Sequence, residues 1–313
     1  MSAILERLGG FLAKRGQAGD AEKALGCYTR DLEMCEALLK ANPGSAEAAR
    51  DVSHILNKLG GFLANRGQAG DAEKALDCFT RSLDLADQLL KANPGSAEAA
   101  RGVSASLQRL GGFLAKRGQA GDAEKALGYY TRHLEISEAL LKANPGSAQA
   151  ARDVSVSLYR LGGSLAMRGQ VGDAEKALGY FTRSLDLADG LLKANPGSAL
   201  AARDVSVSLD KLGDFLARRG QPDDAEAALA HFTRYLEISE ALLKANPGSA
   251  EAARDVWVSC GRLAKHAERT GKGDAMPWWR RAYDVLARMK EKGQFMQPGD
   301  LQFLEELRKK VVQ

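Results

Sequence analysis

Four histidines and four cysteines are the side chains here best suited to metal binding or nucleophilic chemistry. His54, His133, His231 and His266 fall at unrelated positions of the chain's internal period, so no symmetry gathers them into one site. Cys27 and Cys35 stand eight residues apart, roughly 80° around a helix at about 3.6 residues per turn. They make a poor ligand pair, and no histidine completes a set with them. Gly271-Lys272-Gly273-Asp274 lacks the GxxxxGK[ST] spacing of a phosphate loop. Pairs of Asp and Glu recur on every second helix like a solvated face. Catalysis needs one distinctive pocket, and this chain offers a ladder of near-identical ones. We therefore expect no enzyme, no catalytic residue, no metal and no cofactor. The chemistry left is recognition.

Composition narrows what is recognised. A chain of 313 residues suggests about two domains by length. Its 45% hydrophobic content is enough for a large core and argues against disorder along its length. Lys+Arg 44 against Asp+Glu 40 gives +4, with both signs mixed. Nucleic-acid binders segregate positive charge, so none is expected as a partner. No apolar run approaches the ~20 residues of a membrane span, and MSAILERLGG has no signal-peptide pattern. Four cysteines without a CxxC or an even framework fit a reduced, cytoplasmic setting.

The chain is a tandem array. KANPGSA begins at Lys40, Lys91, Lys142, Lys193 and Lys244, and a Leu-Gly pair falls at Leu8, Leu59, Leu110, Leu161 and Leu212, every step being 51 residues. A sixth, diverged copy starts at Ser249. In the copy from Ser45 to Gly95, Ser45 has the setting of an N-cap. Val52, Leu56, Leu59 and Leu63 make an amphipathic helical stripe, and Gly67 ends it. Asp71 is expected to cap a second helix. Its stripe is Ala72, Leu76, Phe79, Leu83, Ala86 and Leu90, and Asn93-Pro94-Gly95 stops it. The short turn GQAGD makes the two helices antiparallel. One hairpin cannot bury both stripes; stacked hairpins can. The expected hairpins are approximately 1–44, 45–95, 96–146, 147–197, 198–248 and 249–292, with a cap at 293–313, forming one solenoid domain. Gly60-Gly61 recurs as Gly9-Gly10, Gly111-Gly112 and Gly162-Gly163, at about 1 kcal/mol per glycine against Ala. Either a neighbouring helix packs close there, or a backbone surface is kept open for a ligand.

LNKLGGFLANRGQ followed by EKALDCFTRSLDL resembles the tetratricopeptide repeat in Leu59, Gly60, Gly67, Ala75 and Phe79, with Pro94 closing the unit. The usual unit has about 34 residues, so this one is roughly 17 longer. The resemblance implies an all-α, right-handed α-solenoid of about six hairpins plus a C-terminal capping helix. First helices would line the concave face and second helices the convex one. It also implies binding of a protein or peptide in the groove rather than catalysis.

Positions that differ between copies are free for something other than stacking. In the first helices these are His54, Ala105, Val156, Val207 and Val258; then Asn57, Gln108, Tyr159, Asp210 and Gly261; then Asn65, Lys116, Met167 and Arg218. Their spacing puts all three sets near one face, and in the resembling family that face lines the groove. The candidate peptide-binding residues are therefore His54, Asn57, Asn65, Gln108, Lys116, Val156, Tyr159, Met167, Asp210 and Arg218. The lining would be polar in the second copy, apolar in the fourth and charged in the fifth, unless the variation is drift on a solvated face. An unvarying cation lies beside them (Arg7, Lys58, Arg109, Arg160, Lys211, Arg262) and would pair within the stack or hold ligand carboxylates. The family's carboxylate clamp needs Asn and Lys at set positions. Gly61 and Gly112 occupy one of these, so a chaperone tail is not the expected ligand.

The second helices alternate with a period of 102 residues: Glu33–Ala37 resembles Glu135–Ala139 and Glu237–Ala241, while Asp84–Gln88 resembles Asp186–Gly190. Odd and even interfaces should differ. Leu5, Leu8 and Leu12 should leave an apolar edge open, suggesting self-association or an upstream domain. The second reading of function follows: a sensor or oligomerisation arm of a larger bacterial signalling protein. At the other end Trp257, Trp278 and Trp279 cluster. Pro277 suits the first turn of a helix starting near Asp274, and Leu301, Leu304, Leu307 and Val311 form a last stripe. We expect a cap there; exposed Trp would instead mark a binding site.

Overall fold

In the computed structural model, Ser45 Oγ accepts a hydrogen bond from the Ala48 amide at 3.1 Å, and Ser96, Ser147, Ser198 and Ser249 repeat the bond. Each opens a first helix by satisfying one of its orphan amides. Each first helix among these closes on a glycine with positive φ, such as Gly67 at 66°, a conformation closed to most side chains. Residues 2–296 and 298–311 are described. Among them the helices are α1 (Ser2–Arg15), α2 (Asp20–Ala41), α3 (Ala46–Arg66), α4 (Asp71–Ala92), α5 (Ala97–Arg117), α6 (Asp122–Ala143), α7 (Ala148–Arg168), α8 (Asp173–Ala194), α9 (Ala199–Arg219), α10 (Asp224–Ala245), α11 (Ala250–Thr270), α12 (Met276–Glu291) and α13 (Pro298–Val311). No strand occurs among the described residues. Of the expected 293–313 cap, Gln297, Val312 and Gln313 lie outside them, as does Met1.

The fold is all-α and solenoid-like, in two compact units, Met1–Ser157 and Leu158–Gln313. In the first, α1/α2, α3/α4 and α5/α6 are hairpins; α2 also packs on α3, and α4 on α5. In the second, α8 packs on α9, α9 on α10, α10 on α11, α11 on α12 and α12 on α13. On α3 the hidden stripe is the one the periodicity marks, Val52, Leu56, Leu59 and Leu63. On α4 Phe79, Leu83 and Ala86 are buried as expected, but Ala72, Leu76 and Leu90 are only half-buried and Ala75 takes a buried place instead. Second helices are also stitched together. Arg81 pairs with Glu36, Arg132 with Asp87, Arg234 with Asp189 and Arg281 with Glu240. The buried position inside the stack shows the longer period: Ser82 and Ser184 occupy even copies, while Asp31, His133 and Tyr235 occupy odd ones. Ser82 Oγ lies 2.8 Å from Ser53 Oγ and 3.1 Å from Ser106 Oγ, and His133 Nδ1 lies 2.7 Å from Ser157 Oγ.

Asp71 is not the N-cap. That position is Gly70, with φ 79° and no side-chain hydrogen bond. Asp71 is instead buried in the first turn of α4, where Arg66 donates to both its oxygens at 2.6 and 2.8 Å and the Gln68 amide donates at 3.0 Å. The same clamp closes Arg15–Asp20, Arg117–Asp122, Arg168–Asp173 and Arg219–Asp224. The arginine bond holds each aspartate below its usual range, to about 2 for Asp20. A depressed folded-state pKa stabilises fully above the unfolded-state value and stops doing so as pH falls through the folded one. Asp153 and Asp255, raised by burial, work in the opposite sense. Five clamps outweigh two such groups. Helicity by circular dichroism should therefore hold from neutral pH to about pH 4, near the ordinary Asp value, and fall between there and about pH 2. Asp71→Asn with Asp122→Asn should make the acid transition shallower and lower the melting temperature at neutral pH. An unchanged acid profile would contradict the clamp's role.

The C-terminal end closes as its residues suggest. Asp274 Oδ1 accepts from the Met276 amide at 2.8 Å and Pro277 sits in the first turn of α12. Leu304 and Leu307 of α13 are buried, whereas Leu301 points outward. Phe303 lies 5.4 Å from Trp257 and 6.1 Å from Trp279, ring centre to ring centre. At the other end Leu12 belongs to the core, and the open edge consists of Ile4, Leu8 and Phe11.

Candidate functional site

A strip of each first helix faces away from its packing partners. In the first unit it carries Arg7, Gly10 and Lys14 on α1, His54, Lys58, Gly61 and Asn65 on α3, and Ala105, Arg109, Gly112 and Lys116 on α5; none of these is buried. Glu6 reaches this strip. Lys58 Nζ is 2.9 Å from its carboxylate and His54 Nε2 is 3.2 Å from it. Burial pushes Glu6 up, but the hydrogen bonds from Lys58 and His54 outweigh it and leave the group below its usual range. Beside it a cleft of about 540 Å³ opens between α1, α2 and α3, lined by Glu6, Lys14, Tyr28, Lys58, Phe62 and Asn65 among others. Farther along, Arg109 and Lys116 are exposed and make no ion pair among the described residues. The strip in this unit is thus basic, with its positive charge only partly compensated.

The glycine pairs divide into two roles. A β-carbon placed on Gly60 would lie 3.0 Å from Phe79 Cε1, and one on Gly111 would lie 2.9 Å from Tyr130 Cε1. The first glycine lets the aromatic ring of the second helix lie against the backbone of the first. The second glycine has no such reason: a β-carbon on Gly61 or Gly163 would meet nothing within 4 Å. It leaves bare backbone at the centre of the outward strip.

The candidate residues do not share one face. His54 and Asn65 are about 20° apart around the axis, but Asn57 is about 60° from His54, enough to turn it inward. Asn57 is 7% exposed, and its amide donates to Ser82 Oγ at 2.6 Å and Ser106 Oγ at 3.3 Å. Gln108, in the same register, is half-buried, Lys116 is exposed and Val156 is half-buried. In the second unit Tyr159 is half-buried under the Arg160 guanidinium, 5.5 Å from its ring centre, and Met167 stands out at 69% exposure. Asp210 is buried. Arg262 of α11 reaches back to α9, with Nε 2.7 Å from Asp210 Oδ1 and Nη1 2.6 Å from Asp214 Oδ1. Burial alone would lower the Arg262 pKa, and the two carboxylates raise it instead. Arg218 pairs with Asp214. The charges of this copy are committed to one another. Lys58 and Arg262 pair within the stack; Arg109 makes no ion pair among the described residues.

Sequence reading named none of Glu6, Tyr28 and Phe62, which line the cleft. Phe62 carried a signal: Phe11, Phe62, Phe113 and Phe215 hold one register, and Ser164 breaks it. No group of three or more His, Cys, Asp or Glu side chains converges as a metal site among the described residues. No described helix is long and apolar enough to cross a membrane.

No protein-family model matches the chain, and no curated protein matches it. Its structure is similar to that of the S. pombe nuclear import adaptor Nro1, with TM-score 0.54 at 12% identity over 97% of this chain and 98% of that one. It is also similar to the apo form of RapI, with TM-score 0.50 at 15% identity over 93% and 99%. A thermophilic TPR protein from Thermus thermophilus matches with TM-score 0.39 at 19% identity over 83% and 98%. At such identities the likeness is one of fold.

Proposed function

We propose that this tetratricopeptide-like helical-repeat chain is a non-catalytic interaction scaffold whose first helices hold an extended, acidic protein segment. The observation that carries this reading is the basic strip of the first unit. Arg109 and Lys116 make no ion pair there among the described residues, Gly61 bares the backbone, and a cleft of about 540 Å³ lies alongside. A peptide in extended conformation can approach such a backbone more closely than it could a row of side chains. Its carboxylates would meet cations whose charge is uncompensated. The role of the structurally similar Nro1 as a nuclear import adaptor is compatible with this reading. A reducing, cytoplasmic setting belongs to it as well. Cys78 and Cys260 are free thiols that burial pushes up to about 11, which makes them slow to oxidise.

The test is fluorescence anisotropy with acidic, neutral and basic peptide pools. Acidic peptides should bind, and binding should weaken as salt rises through the physiological range. Arg109→Glu with Lys116→Glu should reduce affinity at least tenfold, at about 1.4 kcal/mol per factor of ten, without changing the circular dichroism. Equal binding of all three pools, or indifference to the double variant, would overturn the assignment. The alternative, a sensor or oligomerisation arm of a larger bacterial signalling protein, is favoured by the exposed Ile4, Leu8 and Phe11.

A further inference from the structure

The repeats show what covers each first helix. α3 packs against α2, where Tyr28 meets Phe62 with ring centres 5.5 Å apart, and Ile55 and Leu59 of the same helix are buried. Phe79 meets Phe113 at 5.5 Å and Phe181 meets Phe215 at 5.2 Å in the same way. Along the second helices, Arg81, Arg132, Arg234 and Arg281 each take a carboxylate from the second helix before them. So the preceding second helix supplies two things: an aromatic ring and, eight residues later, a carboxylate. The pairs are Tyr28 with Glu36, Phe79 with Asp87, Phe181 with Asp189 and Phe232 with Glu240. Eight residues span about 12 Å of helix.

The outer face of α1 and α2 carries the matching half of this contact. Ile4, Leu8 and Phe11 correspond to Ile55, Leu59 and Phe62, yet they are 69%, 45% and 57% exposed. Arg30 corresponds to Arg81 and is exposed without an ion pair among the described residues. No described helix lies over this face. The second unit shows that a single helix suffices to cover an outward face. On α13, Phe303 packs on Trp257 and Asp300 takes Arg254 at 2.6 Å.

We propose that the face formed by Ile4, Leu8, Phe11 and Arg30 receives one amphipathic helix from another polypeptide, bearing an aromatic residue and a carboxylate eight positions later. The helix runs antiparallel to α1, its ring lies on Phe11, and its carboxylate meets Arg30. This surface is separate from the basic strip and does not depend on it.

A labelled synthetic peptide with the sequence of residues 71–92, which carries Phe79 and Asp87 in this register, is the probe. Added to the full chain, it should bind saturably. Leu8→Asp and Arg30→Glu, both at exposed positions, should each weaken binding at least tenfold with unchanged circular dichroism. A peptide with Asp87→Arg should bind the Arg30→Glu chain better than the unmodified chain. That reciprocal preference is one a merely sticky surface would not show. Absence of saturable binding, binding indifferent to both substitutions, or a chain dimer that Leu8→Asp dissociates and that excludes the peptide would each overturn the proposal.

Discussion

Arg262→Met should lower the stability of the second unit by about 2–3 kcal/mol, below the cost of about 3–5 kcal/mol for deleting one partner of a fully buried ionic group. The guanidinium of α11 is the only described partner that bridges Asp210 and Asp214 of α9, at 2.7 and 2.6 Å. Asp210 is buried, and Tyr235, raised first by burial and then by the charges of Asp255 and Asp210, lies beside the cluster. Removing the arginine leaves each carboxylate only the cation on its own helix, Lys211 at 3.5 Å from Asp210 and Arg218 beside Asp214, and neither of these bridges the two. The remaining exposure of Arg262 and Asp214 is what softens the loss. In a unit of this size it corresponds to a fall in melting temperature of about 4–12 °C. Arg262→Lys should recover only part of it, because an ammonium cannot fork between two carboxylates. Adding Asp214→Ala to Arg262→Met should recover more than Lys does, since it removes one of the facing charges without the helix cost of a glycine. An unchanged melting temperature in Arg262→Met would show that the cluster is solvated and that Asp210 is free for a ligand after all.

What could be read from the residues was what local chemistry decides. Ser45, Gly67 and Pro94 announce helix ends because caps and positive φ act within a few residues. The stripe of Val52, Leu56, Leu59 and Leu63 follows from a period, and a strict 51-residue register makes each copy vouch for the others. The 102-residue alternation of the sequence appears in the structure as Ser82 and Ser184 against Asp31, His133 and Tyr235 at one buried position. Asp71 was open to misreading because an aspartate before an apolar run suits an N-cap. Its actual role depends on Arg66 turning back across the loop and on Gly70 taking the cap. The candidate site was less legible. A rotation of about 60° separates Asn57 from His54, and spacing alone does not say which side of that arc meets a neighbour. The cleft beside Glu6 needs three helices at once, and no single stretch of sequence encodes it.

The glycine pairs allow the needs of the stack to be separated from those of a ligand. A β-carbon on Gly213 would lie 2.7 Å from Phe232 Cε1, and Phe232 is itself buried. Gly213→Ala must push that ring off the α9 backbone. Overpacking of this kind costs about 1–3 kcal/mol, and the better helix propensity of alanine returns up to about 1 kcal/mol. The expected net result is destabilisation, read as a lower melting temperature. Gly163→Ala lies in the same unit, where an added β-carbon meets nothing within 4 Å. Only the propensity gain of about 1 kcal/mol remains, so this variant should melt higher. Opposite signs from the same substitution at two sites of one unit exclude a general effect of glycine in helices. Gly61→Val in the first unit then addresses function. A β-carbon there meets nothing within 4 Å and the residue faces outward, so the fold should survive. A bound segment lying against the bare backbone would be pushed away, and acidic-peptide affinity should fall at least about fivefold, roughly 1 kcal/mol. If Gly61→Val binds as well as the parent chain, the second glycine of each pair serves neither the stack nor a ligand. The basic side chains around it would then have to account for recognition alone.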